Sequence, residues 1–220
     1  MNRYVFLAAA VLILPVPAKS ASQTTLYLYG GLTRSWIGTP DELPAPVMQP
    51  TMGLASEVPF SGRVDLQVGV NYSRKGFYVG CCDAEFTTRI PYLELTTLVG
   101  TAFPLGDWAS AHLLAGPALA FKLSCTRFIR WGNFPIEGVL EEPREWEFLE
   151  DCDDRAEAPR SIDLGLAGGL RFEVGMSEKM GLAVGAFYNH GLRGSLPWDG
   201  DYTAGNRTLN IQAGLAYRID

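Results

Sequence analysis

Beyond its first sixteen residues the 220-residue chain has no apolar stretch approaching the ~20 residues that a membrane helix needs, so a helical span is excluded. No segment sustains a 3.6-residue apolar period, which leaves little room for helix. Basic residues are in the minority: 18 Lys and Arg stand against 24 Asp and Glu, giving a net charge of −6 and a pI of about 5.0. That balance excludes nucleic acid as a partner. There are two histidines, no CxxC pair and no GxSxG, so neither a common zinc pattern nor a nucleophile elbow is present. The first cysteine is Cys81, far from the N-terminus, and the residue that would carry a lipoprotein's acyl chains is therefore missing too.

What is present begins with an export signal. MNRYVFLAAAVLILPVPAKSAS has Arg3 in a short basic region, an apolar run from Tyr4 to about Val16, and small residues where a signal peptidase cuts, after Ala18 or after Ser20. Residues 1–20 are thus expected to be removed, leaving a single domain over 21–220. Export places the four cysteines in an oxidising compartment and makes disulfides expected.

The dominant pattern is alternation with period two. In SIDLGLAGGLRFEVG, Ile162, Leu164, Leu166, Leu170, Phe172 and Val174 form one apolar row, and Asp163, Gly165, Ala167, Gly169, Arg171 and Glu173 form a small or charged one. Eight segments alternate in this way and predict strands: Thr25 to Trp36, Thr51 to Phe60, Arg63 to Ser73, Pro91 to Phe103, Trp108 to Ser124, Ser161 to Gly175, Lys179 to Arg193 and Arg207 to Ile219. The second is the weakest.

Their connections alternate in length. Ser61-Gly62, Pro104 to Asp107 and Met176 to Glu178 are hairpin turns. Ile37 to Pro50, Arg74 to Ile90, Cys125 to Arg160 and Gly194 to Asn206 are long. An eight-stranded antiparallel up-and-down barrel in an outer membrane has this asymmetry, with short periplasmic turns and long outside loops.

With both termini periplasmic, aromatics on the lipid-facing rows should fall at strand ends, in the headgroups. Trp36, Tyr72, Phe121 and Tyr188 take the outer ends of their rows, and Phe60, Phe103, Phe172 and Tyr217 the periplasmic ends. The opposite rows carry Arg63, Asp65, Glu94, Lys122, Asp163, Arg171, Glu173 and Arg218, which are expected to pair across the lumen once removed from bulk water. A soluble calycin-like barrel would reverse the two rows and bind its ligand among the leucines.

YLELTTLVGTAFP (Tyr92 to Pro104), HLLAGPALAFKL (His112 to Leu123), DLGLAGGLRFEV (Asp163 to Val174) and LNIQAGLAYRI (Leu209 to Ile219) resemble the PorT-like outer-membrane β-barrel family, of OmpX/OmpA-type architecture; YSRKGFY (Tyr72 to Tyr78) is similar to that family's first outside loop after a strand. The resemblance implies a Gram-negative outer-membrane address, with lipid and lipopolysaccharide as surroundings. It transfers no catalytic residue and no cofactor.

Chemistry outside the barrel wall is sparse. Cys81-Cys82 lies in the second outside loop and Cys125 and Cys152 in the third, and adjacent cysteines rarely bond each other. Two bridges from Cys81 and Cys82 to Cys125 and Cys152 are therefore expected, ahead of a Cys125–Cys152 bridge with a separate Cys81 and Cys82 pair. From Glu137 to Glu157 there are ten acidic residues and only Arg144 and Arg155 as basic ones, a solvated run or one bridged to lipopolysaccharide by divalent cations. Asp199, Asp201 and Thr203 show part of a calcium loop, but Ala204 stands where glycine is needed. A lipid hydrolase at the rim would need His190 as base with Ser161 or Ser195, neither in a nucleophile motif.

The reading is a non-enzymatic outer-membrane protein that acts structurally or through its outside loops on a partner the sequence does not name. A narrow pore is the alternative of another class.

Overall fold

Alternating residues satisfy their backbone only by pairing with a neighbouring strand, and the pairing here closes on itself. The computed structural model describes residues 24–38, 45–81, 84–132, 145–153, 159–192, 196–197 and 203–219. These form β1 (Thr24–Gly38), β2 (Ala45–Ser61), β3 (Val64–Cys81), β4 (Ala84–Pro104), β5 (Ala109–Lys122), β6 (Thr126–Gly132), β7 (Glu145–Asp151), β8 (Ile162–Gly175), β9 (Met180–Gly191), β10 (Leu196–Pro197) and β11 (Thr203–Ile219). Eight of them make an antiparallel ring in the order β1-β2-β3-β4-β5-β8-β9-β11, and β11 returns to β1 from Thr24↔Ile219 to Gly38↔Gly205. The fold is an eight-stranded β-barrel. The signal segment and the calcium-loop residues Asp199 and Asp201 lie outside the described residues.

Three turns link consecutive staves at one end. Gly62, between β2 and β3, has φ 60°, and Gly106, between β4 and β5, has φ 105°. Both lie in the left-handed region that glycine enters without a Cβ clash. At the other end the strands overshoot: β3 has 18 residues and β4 has 21, about twice what a tilted strand needs to cross hydrocarbon. The segment from Arg74 to Ile90, expected as a loop, is the continuation of this hairpin, paired out to Cys81↔Ala84. Likewise β2 starts at Ala45, inside the expected first loop. The third outside connection contains strands as well: β6 pairs with the outer part of β4, and β7 pairs with β6, so β3, β4, β6 and β7 form a sheet that projects beyond the ring.

The rows are inside out relative to a soluble barrel. Leu28, Val184 and Ile211 point away from the axis and are 57%, 54% and 57% exposed, whereas Glu94, Asp163 and Arg171 point inward and are 2%, 4% and 5% exposed. A calycin-like barrel requires the opposite. The girdle residues Phe60, Phe103, Phe172, Tyr188 and Tyr217 are exposed, and Trp36, Tyr72 and Phe121 half-buried. An eight-stranded ring has space only for side chains in its interior. Gly53 illustrates the economy: a Cβ there would come within 2.9 Å of the Tyr29 ring.

Candidate functional site in the barrel lumen

Near the end that carries the three short turns, Arg171 of β8 organises the lumen. Its Nη1 donates to Gln67 Oε1 of β3 at 2.5 Å, and its Nη2 donates to Glu57 Oε2 of β2 at 2.6 Å. Nη2 also lies 3.1 Å from His112 Nδ1. A guanidinium has no lone pair to offer, so that imidazole nitrogen is the acceptor; Nε2 then carries the proton toward Ser110 Oγ at 2.9 Å. The Tyr27 ring lies under the guanidinium, 4.1 Å from centroid to carbon. Tyr27 OH donates to Glu173 Oε2 at 2.9 Å, and Arg218 Nη2 donates to Glu173 Oε1 at 2.5 Å. Both Nη groups of Arg171 and both oxygens of Glu173 are bonded within one network, and Arg171 Nε is buried without a partner.

Glu57, Asp65 and His112 bring one ligand atom each within 4.8 Å of one another, the only such group of three among the described residues. Arg171 already donates to two of them. A metal there would have to displace the cation that holds the cluster together, and the donor set therefore does not favour one.

A second layer lies toward the outer mouth. Lys75 Nζ of β3 is 2.5 Å from Glu94 Oε1 and 3.9 Å from Asp163 Oδ2, and it stands 4.9 Å from the Tyr92 ring centroid. Asn206 Nδ2 donates to Asp163 Oδ2 at 3.0 Å. Above it Ile90, Tyr92, Ala120 and the Cys125–Cys152 disulfide form a buried apolar cap. Between the layers, Tyr29 hydrogen-bonds Asn71, and the remaining cavity of about 50 Å³ has room for a few waters.

The sequence places several of these groups and misses others. Glu94, Asp163, Arg171 and Glu173 are buried in the lumen, Asp65 is half-buried and Arg218 reaches in at the mouth beside the short turns. Arg63 lies exposed in the β2–β3 turn, not in the lumen, because the strand begins one residue later. Lys122 points over the rim, where Nζ donates to Asp153 Oδ1 at 2.5 Å and to the Pro159 carbonyl at 2.6 Å. His112 falls on the lumen-facing row of its strand as the alternation places it, whereas Glu57 and Lys75, equally central, are not singled out by the sequence. Parity could have found Lys75, since Asn71, Ser73 and Lys75 continue one inward row.

The expected bridges from Cys81 and Cys82 to the third loop give way to Cys125–Cys152, with Cα atoms 5.3 Å apart. The cause is the β6–β7 hairpin: Thr126 pairs with Asp151, which seats the two flanking cysteines opposite each other. Cys82 and the Cys81 side chain lie outside the described residues. His190 pairs with Leu166, whereas Ser161 lies five positions earlier in the chain, just before β8, about 17 Å away at the rise of a strand. The imidazole meets Tyr188 OH at 3.3 Å instead, and Ser195 is outside the described residues.

With this geometry in view, the comparisons bear on fold. A major outer membrane protein from Thermus thermophilus superposes with TM-score 0.50 at 11% identity, covering 91% of this chain and 100% of that one. The chain has the fold of outer-membrane β-barrels. Neisserial surface protein A (TM-score 0.43, 11% identity, 88% of this chain and 97% of that one) and OprG from Pseudomonas aeruginosa (0.43, 13%, 91% and 97%) are also matched. No protein-family model matches the sequence, and neither does any curated relative.

Proposed function

We propose that this chain is an integral outer-membrane protein of a Gram-negative bacterium, non-enzymatic, which presents the β3–β4–β6–β7 projection to the outside as its interaction surface. The single observation that carries this reading is the inversion of burial: a continuous aliphatic exterior around an ionic interior is stable only if hydrocarbon surrounds it. An exposed apolar surface of this extent would otherwise drive aggregation. Membership of the PorT-like family belongs to the same reading and rests on the segments quoted above. So does removal of the signal segment, after which the mature protein would begin at Lys19 (cleavage after Ala18) or at Ala21 (cleavage after Ser20).

The two ionic layers and the apolar cap argue against free passage of solutes, since the lumen is crossed at both levels by side chains bonded to opposite walls. Fractionation tests the location: the protein should be insoluble in Sarkosyl and migrate differently before and after heating. A freely soluble periplasmic product would overturn the proposal. Planar-bilayer recording separates scaffold from pore, and steady single-channel conductance would favour the pore.

A further inference from the structure

The outward face carries a second chemistry just beyond its aliphatic band. Arg34, Arg74, Arg89 and Arg207 are all exposed. Each stands just beyond the aliphatic part of its row, following Leu32 and Tyr72 on β1 and β3 and preceding Pro91 and Leu209 on β4 and β11; on β1 Trp36 lies one step farther out than Arg34. In a chain of net charge −6, this gathering of arginines at one level is a departure from the average. Among the described residues none of the four has an acidic partner within salt-bridge distance. The outward carboxylates Glu85 and Glu147 lie farther out and flank Arg130, and Asp151 turns to the Asp153 backbone N–H at 2.9 Å.

Two of these arginines share a pocket. Arg74 and Arg89 lie on paired strands, Arg74 opposite Pro91 and Arg89 opposite Gly76, and open on a cavity of about 390 Å³ with Tyr72, Pro91, Phe128 and Leu149. Tyr72 fixes the first of them: Arg74 Nε donates to its hydroxyl at 3.1 Å, and the guanidinium carbon is 5.9 Å from the ring centroid. That bond uses Nε and leaves the Nη groups of Arg74 free to bond an anion. The rest of the lining is mixed: Pro91, Phe128 and Leu149 are apolar, and Ser124 and Thr126 are polar. A ligand suited to this pocket has an anionic head with several oxygens and an apolar body below it, at the depth where the aromatic girdle ends.

From this geometry we infer that Arg74 and Arg89 form a binding site for the phosphate of an outer-leaflet lipid, with Tyr72 and Pro91 on the membrane side against its apolar part and Phe128 and Leu149 flanking the head from farther out. The inference rests on the proposed outer-membrane location. Guanidinium forks match phosphate oxygens bidentately, which selects phosphate over a zwitterionic surface as a whole.

Native mass spectrometry of the detergent-solubilised barrel tests it, with purified bis-phosphorylated lipid A, the same lipid after dephosphorylation, and inorganic phosphate as probes. Wild type should retain lipid A, retain the dephosphorylated lipid about tenfold less, and lose lipid A by about tenfold in R74Q/R89Q. R63Q, at the opposite end of the barrel, should bind as wild type. Equal retention of both lipids, or R74Q/R89Q binding as wild type, would overturn the site. Saturation by inorganic phosphate without retention of lipid A would overturn the lipid as its source. Heat-modifiable migration of wild type and R74Q/R89Q, recorded alongside, reports on the barrel and membrane reading separately, so a failure of lipid binding in a heat-modifiable protein falls on the site alone.

Discussion

Arg171 on β8 and Glu57 on β2 belong to strands on opposite sides of the eight-membered ring, and their side chains meet across the lumen at 2.6 Å. Both are buried, so each depends on the other for its charge. Removing one member of such a pair costs about 3 to 5 kcal/mol, because the survivor is left ionised without compensation. R171M should therefore lower the unfolding free energy in phospholipid vesicles by about that amount. The double variant R171M/E57M should recover more than half of the loss, since no orphaned charge of the pair remains. Urea titrations of the three proteins check this. Additive losses would mean that the two residues do not act as a pair.

The disulfide gives a chemically separate prediction. Cys125 and Cys152 close a segment with a sequence separation of 27, and the bridge packs on Ile90 and Tyr92 at the outer mouth. Peptide mapping without reductant should recover Cys125 joined to Cys152. In C125S/C152S the segment between them should become protease-sensitive while the ring keeps its heat-modifiable migration, because β6 and β7 pair outside the ring. Recovery of Cys81 or Cys82 joined to Cys125 or Cys152 would contradict the pairing.

The barrel was legible in the sequence because a strand with two unlike faces writes both of them out. Leu164, Leu166, Leu170 and Phe172 against Asp163, Arg171 and Glu173 settle register and face together, since a one-residue slip would reverse every side chain. The short turns did the same for topology. What stayed hidden lies where local composition imitates a loop. Arg74 to Ile90 reads as a long loop, yet its first half continues β3, and that reading concealed Lys75. Pro46, Pro50 and Pro59 obscured β2 and with it Glu57. The β6–β7 hairpin sits beside an acidic run whose charge masks its alternation, and without that hairpin the cysteines could not be paired correctly.

Position along the barrel wall should decide the cost of a charge. Val184 lies midway along the outward row of β9, between Met180 and Tyr188, and is 54% exposed. V184R should cost about 2 to 4 kcal/mol in a bilayer, as arginine does at the midplane of a barrel. Were that row in water, the change would stay within about 0.5 kcal/mol. Unfolding titrations in vesicles distinguish the two.

The most direct test of lipid contact is a nitroxide scan along β8, one spin label per position from Ile162 to Gly175, in a cysteine-free background reconstituted into vesicles. Even-numbered positions should collide with molecular oxygen and be shielded from a water-soluble nickel complex, and the odd-numbered positions should not share that oxygen preference. Even-numbered positions that collide freely with the nickel complex, or with neither reagent, would show that water or protein rather than hydrocarbon surrounds the leucine row.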